Sequence, residues 1–118
     1  MGLIFMQKRV IGILLVFVVM TLYIGQVRQF GYPGNLGLNI NLINREDHKI
    51  KDASVSVYIY DLGIYKESSK FDLYRHERES KNIFIDTKGA EPGWYVARIK
   101  VTDNRGHSDT ESRYVLVT

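Results

Sequence analysis

The sequence predicts an all-β domain, an antiparallel β-sandwich of about seven short strands, preceded by one hydrophobic N-terminal segment. Beyond position 36, apolar residues alternate with polar ones at a period of two, which is typical of half-buried strands. Turn residues separate these stretches at short, regular intervals, and the body has no helical period. The length of 118 residues leaves room for one such domain.

The strands are predicted from their apolar alternation. They fall at residues 36–42, 55–59, 62–65, 71–73, 83–85, 94–102 and 113–118. The clearest is Trp94 to Thr102, where every second residue from Tyr95 onward would face the core. Asp103 to Gly106 is predicted to be a turn, with Gly106 at positive φ. Two charged stretches, 44–52 and 75–81, are predicted to connect strands.

The first quarter of the chain differs from the rest. Lys8 and Arg9 precede the apolar run VIGILLVFVVMTLYIG, from Val10 to Gly25, and no Asp or Glu occurs before Glu46. Charges before such a run are the pattern of an export signal or a signal anchor. The predicted organisation is therefore a leader at 1–27, a linker at 28–35 and a sandwich domain at 36–118.

Anchor and cleaved signal remain two alternatives for this leader. The exit of the run has large residues where a signal peptidase needs small ones, which favours a single-pass anchor contacting the membrane through Val10–Val27. In either case the positive-inside rule places Lys8 and Arg9 in the cytoplasm and the body outside. The expected location is the cell membrane with an extracytoplasmic body, and secretion is the alternative.

Composition excludes several functions. From Arg28 onward the chain has 14 basic and 13 acidic residues, a balance that argues against nucleic acid as a partner. The chain has no cysteine, so disulfides and thiolate zinc sites are excluded. Motifs of nucleophilic, zinc-dependent or phosphate-binding enzymes are missing, and we expect neither catalysis nor a cofactor.

The segment PGWYVARIKVTDNRG, from Pro92 to Gly106, resembles the closing hairpin of prokaryotic cell-surface immunoglobulin-like domains. These include the polycystic-kidney-disease-type and CARDB-type modules, and Ala53 to Val57 is similar to another of their strands. The resemblance implies an immunoglobulin-like β-sandwich displayed on a cell surface, often in archaea. It also implies that Tyr95 forms a tyrosine corner, with its hydroxyl bonded to backbone near residues 88–91.

Candidate binding residues are few. If Val55, Val57 and Ile59 face the core, then Tyr58 and Tyr60 face outward, where tyrosines favour contacts with proteins or sugars. The competing interpretation is that they only stabilise the outer side of a sheet. The three histidines fall in separate charged loops and are not spaced as metal ligands. A calcium site formed by three carboxylates is a weaker possibility; these are Asp103, Asp109 and Glu111.

The predicted function is a membrane-anchored structural or interaction module of the cell surface, in a surface layer, an appendage or a secretion machine. A protein partner at the cell surface is expected. An archaellum stator subunit, which has one membrane segment and an immunoglobulin-like domain, is similar in layout. The alternatives are a secreted or tethered carbohydrate-binding module and a pilin-like filament subunit.

Overall fold

The computed structural model describes residues 22–118, and the predicted leader up to residue 21 lies outside them. These residues form eight β-strands and one 3-10 turn, Tyr60–Leu62. The strands are β1 Leu22–Tyr32, β2 Asn35–Asn44, β3 Ile50–Ile59, β4 Ile64–Glu67, β5 Phe71–Leu73, β6 Arg78–Asp86, β7 Gly93–Thr102 and β8 Ser108–Val117.

The strands form two antiparallel sheets. Sheet I has the order β1-β2-β6, and sheet II has the order β4-β3-β7-β8, with β5 also paired to β3. This distribution, with the first, second and sixth strands opposite the third, seventh and eighth, is that of an immunoglobulin-like sandwich. The predicted all-β class and antiparallel sandwich are therefore confirmed.

The core lies between the sheets and is built from alternate residues of each strand. On β2, Leu38, Ile40 and Leu42 are fully buried, and on β3 the same holds for Val55 and Val57. The strand β7 contributes Ala97, Ile99 and Val101, as its period predicted. Burial of these side chains is the main force holding the two sheets together.

Strand β1 corrects the predicted domain boundary. The sequence placed residues 22–27 in the leader and 28–35 in a linker, but residues 22–32 form a strand paired with β2. Leu22 and Ile24 are buried in the core, so the domain begins at residue 22 or before. Pro33 and Gly34 are the two turn residues of a β1–β2 hairpin, with Gly34 at a φ of 83°.

A β-bulge explains why β1 was hidden in the sequence. The pairing with β2 shifts by one residue between Ile24 and Gln26, which interrupts the alternation of apolar residues. The apolar run of the leader also continues into Leu22 without a break. A Cβ at Gly25 would lie 2.8 Å from Ile43 Cδ1, so a larger residue here would require the Ile43 side chain to move.

Side chains of β1 and β8 close one edge of the sandwich. The side chain of Gln29 bonds both main-chain groups of Leu116, because its Nε2 donates to the carbonyl at 2.6 Å and its Oε1 accepts from the N–H at 2.9 Å. The Asp109 carboxylate accepts a bond from the Ile24 N–H at 3.0 Å. These contacts satisfy backbone groups that an edge strand would otherwise expose.

Asn44 ties together two loops at the end of the domain where β1 begins. Its side chain is fully buried, and its Nδ2 donates to the carbonyls of His48, Leu73 and Tyr74 at 2.9–3.1 Å. Its Oδ1 accepts a bond from the Glu46 N–H at 2.9 Å. A buried amide with this many partners fixes the loop geometry rather than binding a ligand.

Candidate functional site

The outer side of sheet II exposes an unusual number of large side chains. Strand register, together with the ring contact of Tyr60 with Tyr58, places six aromatic or apolar residues and Arg98 on this side, and we call this surface the aromatic face. Its members are Tyr58, Tyr60, Tyr65, Trp94, Val96, Arg98 and Tyr114. Trp94 is 68% exposed and Tyr114 is 77% exposed, which is rare for such residues unless they meet a partner.

The two predicted binding residues lie on this face and contact each other. The rings of Tyr58 and Tyr60 are 4.0 Å apart and inclined by 38°, and the ring of Tyr65 is 5.9 Å from that of Tyr58. Tyr58 is half-buried, whereas Tyr60 and Tyr65 are exposed. Because the rings are inclined to each other, they form a packed aromatic cluster and not a flat platform.

The charge of the aromatic face is positive at its centre. Tyr58 pairs with Arg98, and Ser56 pairs with Lys100, so both cations lie beside the tyrosines. Within the described part of the chain, neither cation has an ion-pair partner. Glu67 lies at the β4 edge, where its carboxylate accepts bonds from Tyr65 and Ser54 at 3.3 Å.

The outer side of sheet I carries two rows of amide and other polar side chains. Two cross-strand rows are polar, the first Arg28–Asn39–Asn82 and the second Gln26–Asn41–Ser80. We call these six residues the amide face. The Asn39 Nδ2 donates to Asn82 Oδ1 at 2.8 Å, and the Ser80 hydroxyl donates to Asn41 Oδ1. An open hollow of about 520 Å³ lies over the second row and extends to Gly25, Ile43, Arg78 and Glu79.

An aromatic pair borders the amide face. Phe30 and Phe84 lie on either side of Gly37 in the adjacent row, with ring centroids 5.5 Å apart and planes at 89°. A Cβ at Gly37 would lie 2.6 Å from the Phe30 ring, so glycine lets the ring cross the strand. This surface was not predicted from the sequence because the residues of β1 were assigned to the leader and the linker; the signal was the alternation of polar residues along β2.

The histidines and carboxylates considered as metal ligands each contact other groups of the protein. His48, His76 and His107 each lie 2.6–3.2 Å from one carboxylate, of Glu46, Asp47 and Asp103 respectively. The three carboxylates considered for calcium have different partners: the Asp103 side chain bonds residues 105 and 107, Asp109 bonds Ile24, and Glu111 pairs with Arg113. In residues 22–118, no group of three or more His, Cys, Asp and Glu side chains is placed to hold a metal.

The predicted tyrosine corner is confirmed. The Tyr95 hydroxyl donates to the Glu91 carbonyl at 2.7 Å, within the range of residues that the sequence indicated. Tyr95 itself is partly buried against the core at the start of β7. Gly106 has a φ of 82°, which also confirms the predicted turn after β7.

The fold and its exposed faces define an immunoglobulin-like β-sandwich. The chain is similar to the CARDB domain of a Pyrococcus furiosus protein, solved in complex with di-metal ions, with 14% identity over 83% of this chain and 86% of that one and a TM-score of 0.57. It is also similar to part of an alkylpurine DNA glycosylase of Pseudomonas fluorescens, bound to DNA containing an abasic site analogue. That match has 15% identity and a TM-score of 0.53, and it covers 82% of this chain but 30% of the glycosylase.

These likenesses show the fold alone. No protein-family model matches the chain, and no curated protein matches it. Among residues 22–118, no helix has both the length and the apolar character needed to cross a bilayer.

Proposed function

We propose that this protein is a non-enzymatic interaction module of the cell surface that binds a protein partner through its aromatic face. The observation that carries the proposal is the exposure of Trp94 and Tyr114 on a regular, well-packed sheet. Tryptophan, tyrosine and arginine dominate the energetics of protein interfaces, and all three occur together here. Immunoglobulin-like relatives in fold are compatible with this role but do not specify it.

The charge of the face defines the chemistry of the partner. Arg98 and Lys100 are unpaired in the described chain, and their burial in an interface would be costly without an opposite charge. We therefore expect the partner to present Asp or Glu side chains among apolar residues. Arg98 would form the more specific contact, since a guanidinium binds a carboxylate with two parallel hydrogen bonds.

The sugar-binding alternative at Tyr58 and Tyr60 receives less support. A flat aromatic platform would offer one open ring face to a sugar, but Tyr58 is half-buried and its ring is only 4.0 Å from that of Tyr60. These two tyrosines are better suited to the edge of a protein interface. Their role in binding remains a prediction.

Export places this face outside the cytoplasm. The proposed route is the hydrophobic segment, but Leu22 and Ile24 belong to the core, so the apolar run before the domain is reduced to residues 10–21. As a helix, twelve residues would measure about 18 Å, against a hydrocarbon core of about 30 Å. This length matches the apolar part of a cleavable signal, so secretion gains support relative to a retained anchor.

Two experiments test the proposal. A photo-crosslinking amino acid at position 114 of the full chain, in its native cells, should give a discrete protein adduct, whereas the same group at position 84 on sheet I should not. The adduct should decrease in Arg98→Glu, and its crosslinked peptide should contain Asp or Glu. Equal labelling from both positions, or insensitivity to Arg98→Glu, would contradict the assignment.

The second experiment concerns location. Intact cells are treated with protease, and the mature N-terminus is measured by mass spectrometry. Digestion of the body in intact cells is expected; protection until lysis would place it in the cytoplasm. A mature chain that retains Lys8 and Arg9 would establish the anchor, and a start near Leu22 would establish cleavage.

A further inference from the structure

We infer that the amide face of sheet I is a second binding site, whose ligand is an acidic polysaccharide. The site lies on the sheet opposite the aromatic face, although Phe30 beside it and Trp94 line one hollow at the edge of the sandwich. The inference does not depend on the function proposed for the aromatic face. Its members come from all three strands of sheet I: Gln26, Arg28, Asn39, Asn41, Ser80 and Asn82.

The residues on this face are unfavourable for the stability of a β-strand. Asparagine is depleted in strands, where β-branched and aromatic residues fit best, yet Asn39, Asn41 and Asn82 occupy central positions. Gly37, in the next row, also weakens a strand. On a solvent-facing sheet nothing in the core requires these residues, and a local departure from propensity of this kind is expected at functional sites.

The amides are held ready to bind hydroxyl groups. Each Asn side chain can donate two hydrogen bonds and accept two, and the Asn39–Asn82 and Ser80–Asn41 bonds use only one group of each amide. The remaining donors and acceptors are therefore open to a ligand, in an orientation that the cross-strand bonds fix. Sugar hydroxyls also both donate and accept, so the two sets are complementary.

Spacing and aromatic contacts fit an extended chain of sugars. The two polar rows and the aromatic row follow one another at intervals of about 7 Å, the advance of two residues along a strand. Phe30 is 41% exposed and Phe84 is 55% exposed, so an apolar C–H face of a sugar could pack on the pair. The hollow of about 520 Å³ beside Gln26 and Arg78 is open to solvent and large enough for a sugar unit.

Charge selects the class of polysaccharide. Arg28 lies in the first amide row, and Arg78 borders the hollow together with Glu79, whose carboxylate is paired with the Lys81 ammonium at 2.9 Å. Neither arginine has an ion-pair partner in the described part of the chain. Guanidinium groups bind carboxylates in a planar, two-bond geometry, which favours uronic acid units over neutral sugars.

The test uses the full-length protein in detergent and three polymers in isothermal titration calorimetry. Polygalacturonate carries hydroxyls and carboxylates, dextran only hydroxyls, and polyglutamate only carboxylates. We expect polygalacturonate to bind about tenfold more tightly than either of the others, because one extra well-formed hydrogen bond or ion pair is worth about that factor. Polyglutamate binding equally well would reduce the site to simple charge attraction and overturn the proposal. Equal binding of dextran would overturn the acidic class, and no binding of any polymer would overturn the site.

Variants locate the binding. Asn82→Ala should weaken polygalacturonate binding about tenfold by removing amide contacts, whereas Asn104→Ala, in an exposed loop, should leave it unchanged. Arg28→Gln keeps a polar side chain and should reduce the preference for polygalacturonate over dextran; it also serves if Asn82→Ala fails to fold. Tyr114→Ala should not affect this binding, which separates the site from the aromatic face. Equal loss in Asn82→Ala and Asn104→Ala would contradict the assignment.

Discussion

The aromatic face and the amide face depart from the expected composition of a solvent-facing sheet in opposite ways. Both belong to antiparallel sheets packed on one core, and each would be expected to carry small or β-branched polar residues toward solvent. The aromatic face instead exposes tryptophan and tyrosine, which fit a strand well but are unfavourable in water. The amide face exposes asparagine, which is favourable in water but fits a strand poorly. The aromatic face is therefore unfavourable for solvation, and the amide face is unfavourable for strand propensity. A binding partner would explain each of these two departures.

The largest expected change in stability distinguishes the buried amide of Asn44 from the exposed amides of sheet I. Asn44→Ala should lower the free energy of unfolding by about 3 kcal/mol, because the buried Leu73 carbonyl and the partly buried carbonyls of His48 and Tyr74 lose their donor. Asn82→Ala, whose amide is exposed, should cost less than about 1 kcal/mol. Urea unfolding of both variants checks this difference. Similar losses would mean that the surface amides are structural and would weaken the inferred sugar site.

The next effect concerns the aromatic face. Tyr58→Ala should destabilise the domain by about 1–2 kcal/mol, because its half-buried ring packs against both Tyr60 and Tyr65. Trp94→Ala and Tyr114→Ala, which remove more exposed rings, should each change stability by less than about 0.5 kcal/mol. Thermal unfolding of the three variants distinguishes them. A large loss in Tyr114→Ala would indicate a structural role and would argue against a free interface.

A stabilising change is expected on the amide face. Asn39→Thr replaces a poor strand former with a good one on an outer position, and should raise the free energy of unfolding by about 0.5 kcal/mol. The same change removes an amide from the inferred site, so polygalacturonate binding should fall as stability rises. Denaturant midpoints and calorimetry on one preparation measure both. A destabilised variant would show that the Asn39–Asn82 bond contributes more than strand propensity.

The smallest effect lies away from both faces, at the ion pair of Lys49 and Asp72. The Asp52 N–H and the Lys49 ammonium, 3.1 Å away, hold the pKa of Asp72 below its ordinary value, while Asp72 raises the pKa of Lys49. The stabilisation from Asp72 is therefore present above its ordinary pKa and disappears as the pH falls through the lowered one. Asp72→Asn should slightly reduce the loss of stability at acidic pH, because the variant has no carboxylate to protonate at this position. An unchanged dependence of stability on acidic pH would mean that solvent screens the ion pair completely.

Much of this fold was predictable from the sequence, and the reason is local. Leu38, Ile40 and Leu42 alternate because one side of a strand is buried, and the same period located β3 and β7. The Pro92-Gly93 turn before Tyr95 indicated the tyrosine corner. These features depend on residues close together along the chain, so a single sequence reveals them.

The position of strand β1 and the grouping of residues on the two faces were decided by tertiary structure alone. Strand β1 was hidden because its apolar start continues the leader and a bulge at Gly25 breaks its period; its partner β2 makes it a strand. The two faces arise only when β7 pairs with β3 and β8, and when β1 pairs with β2, because pairing brings distant residues into one row. The sequence shows which way Tyr58 faces, whereas only the sheet brings Arg98 beside it.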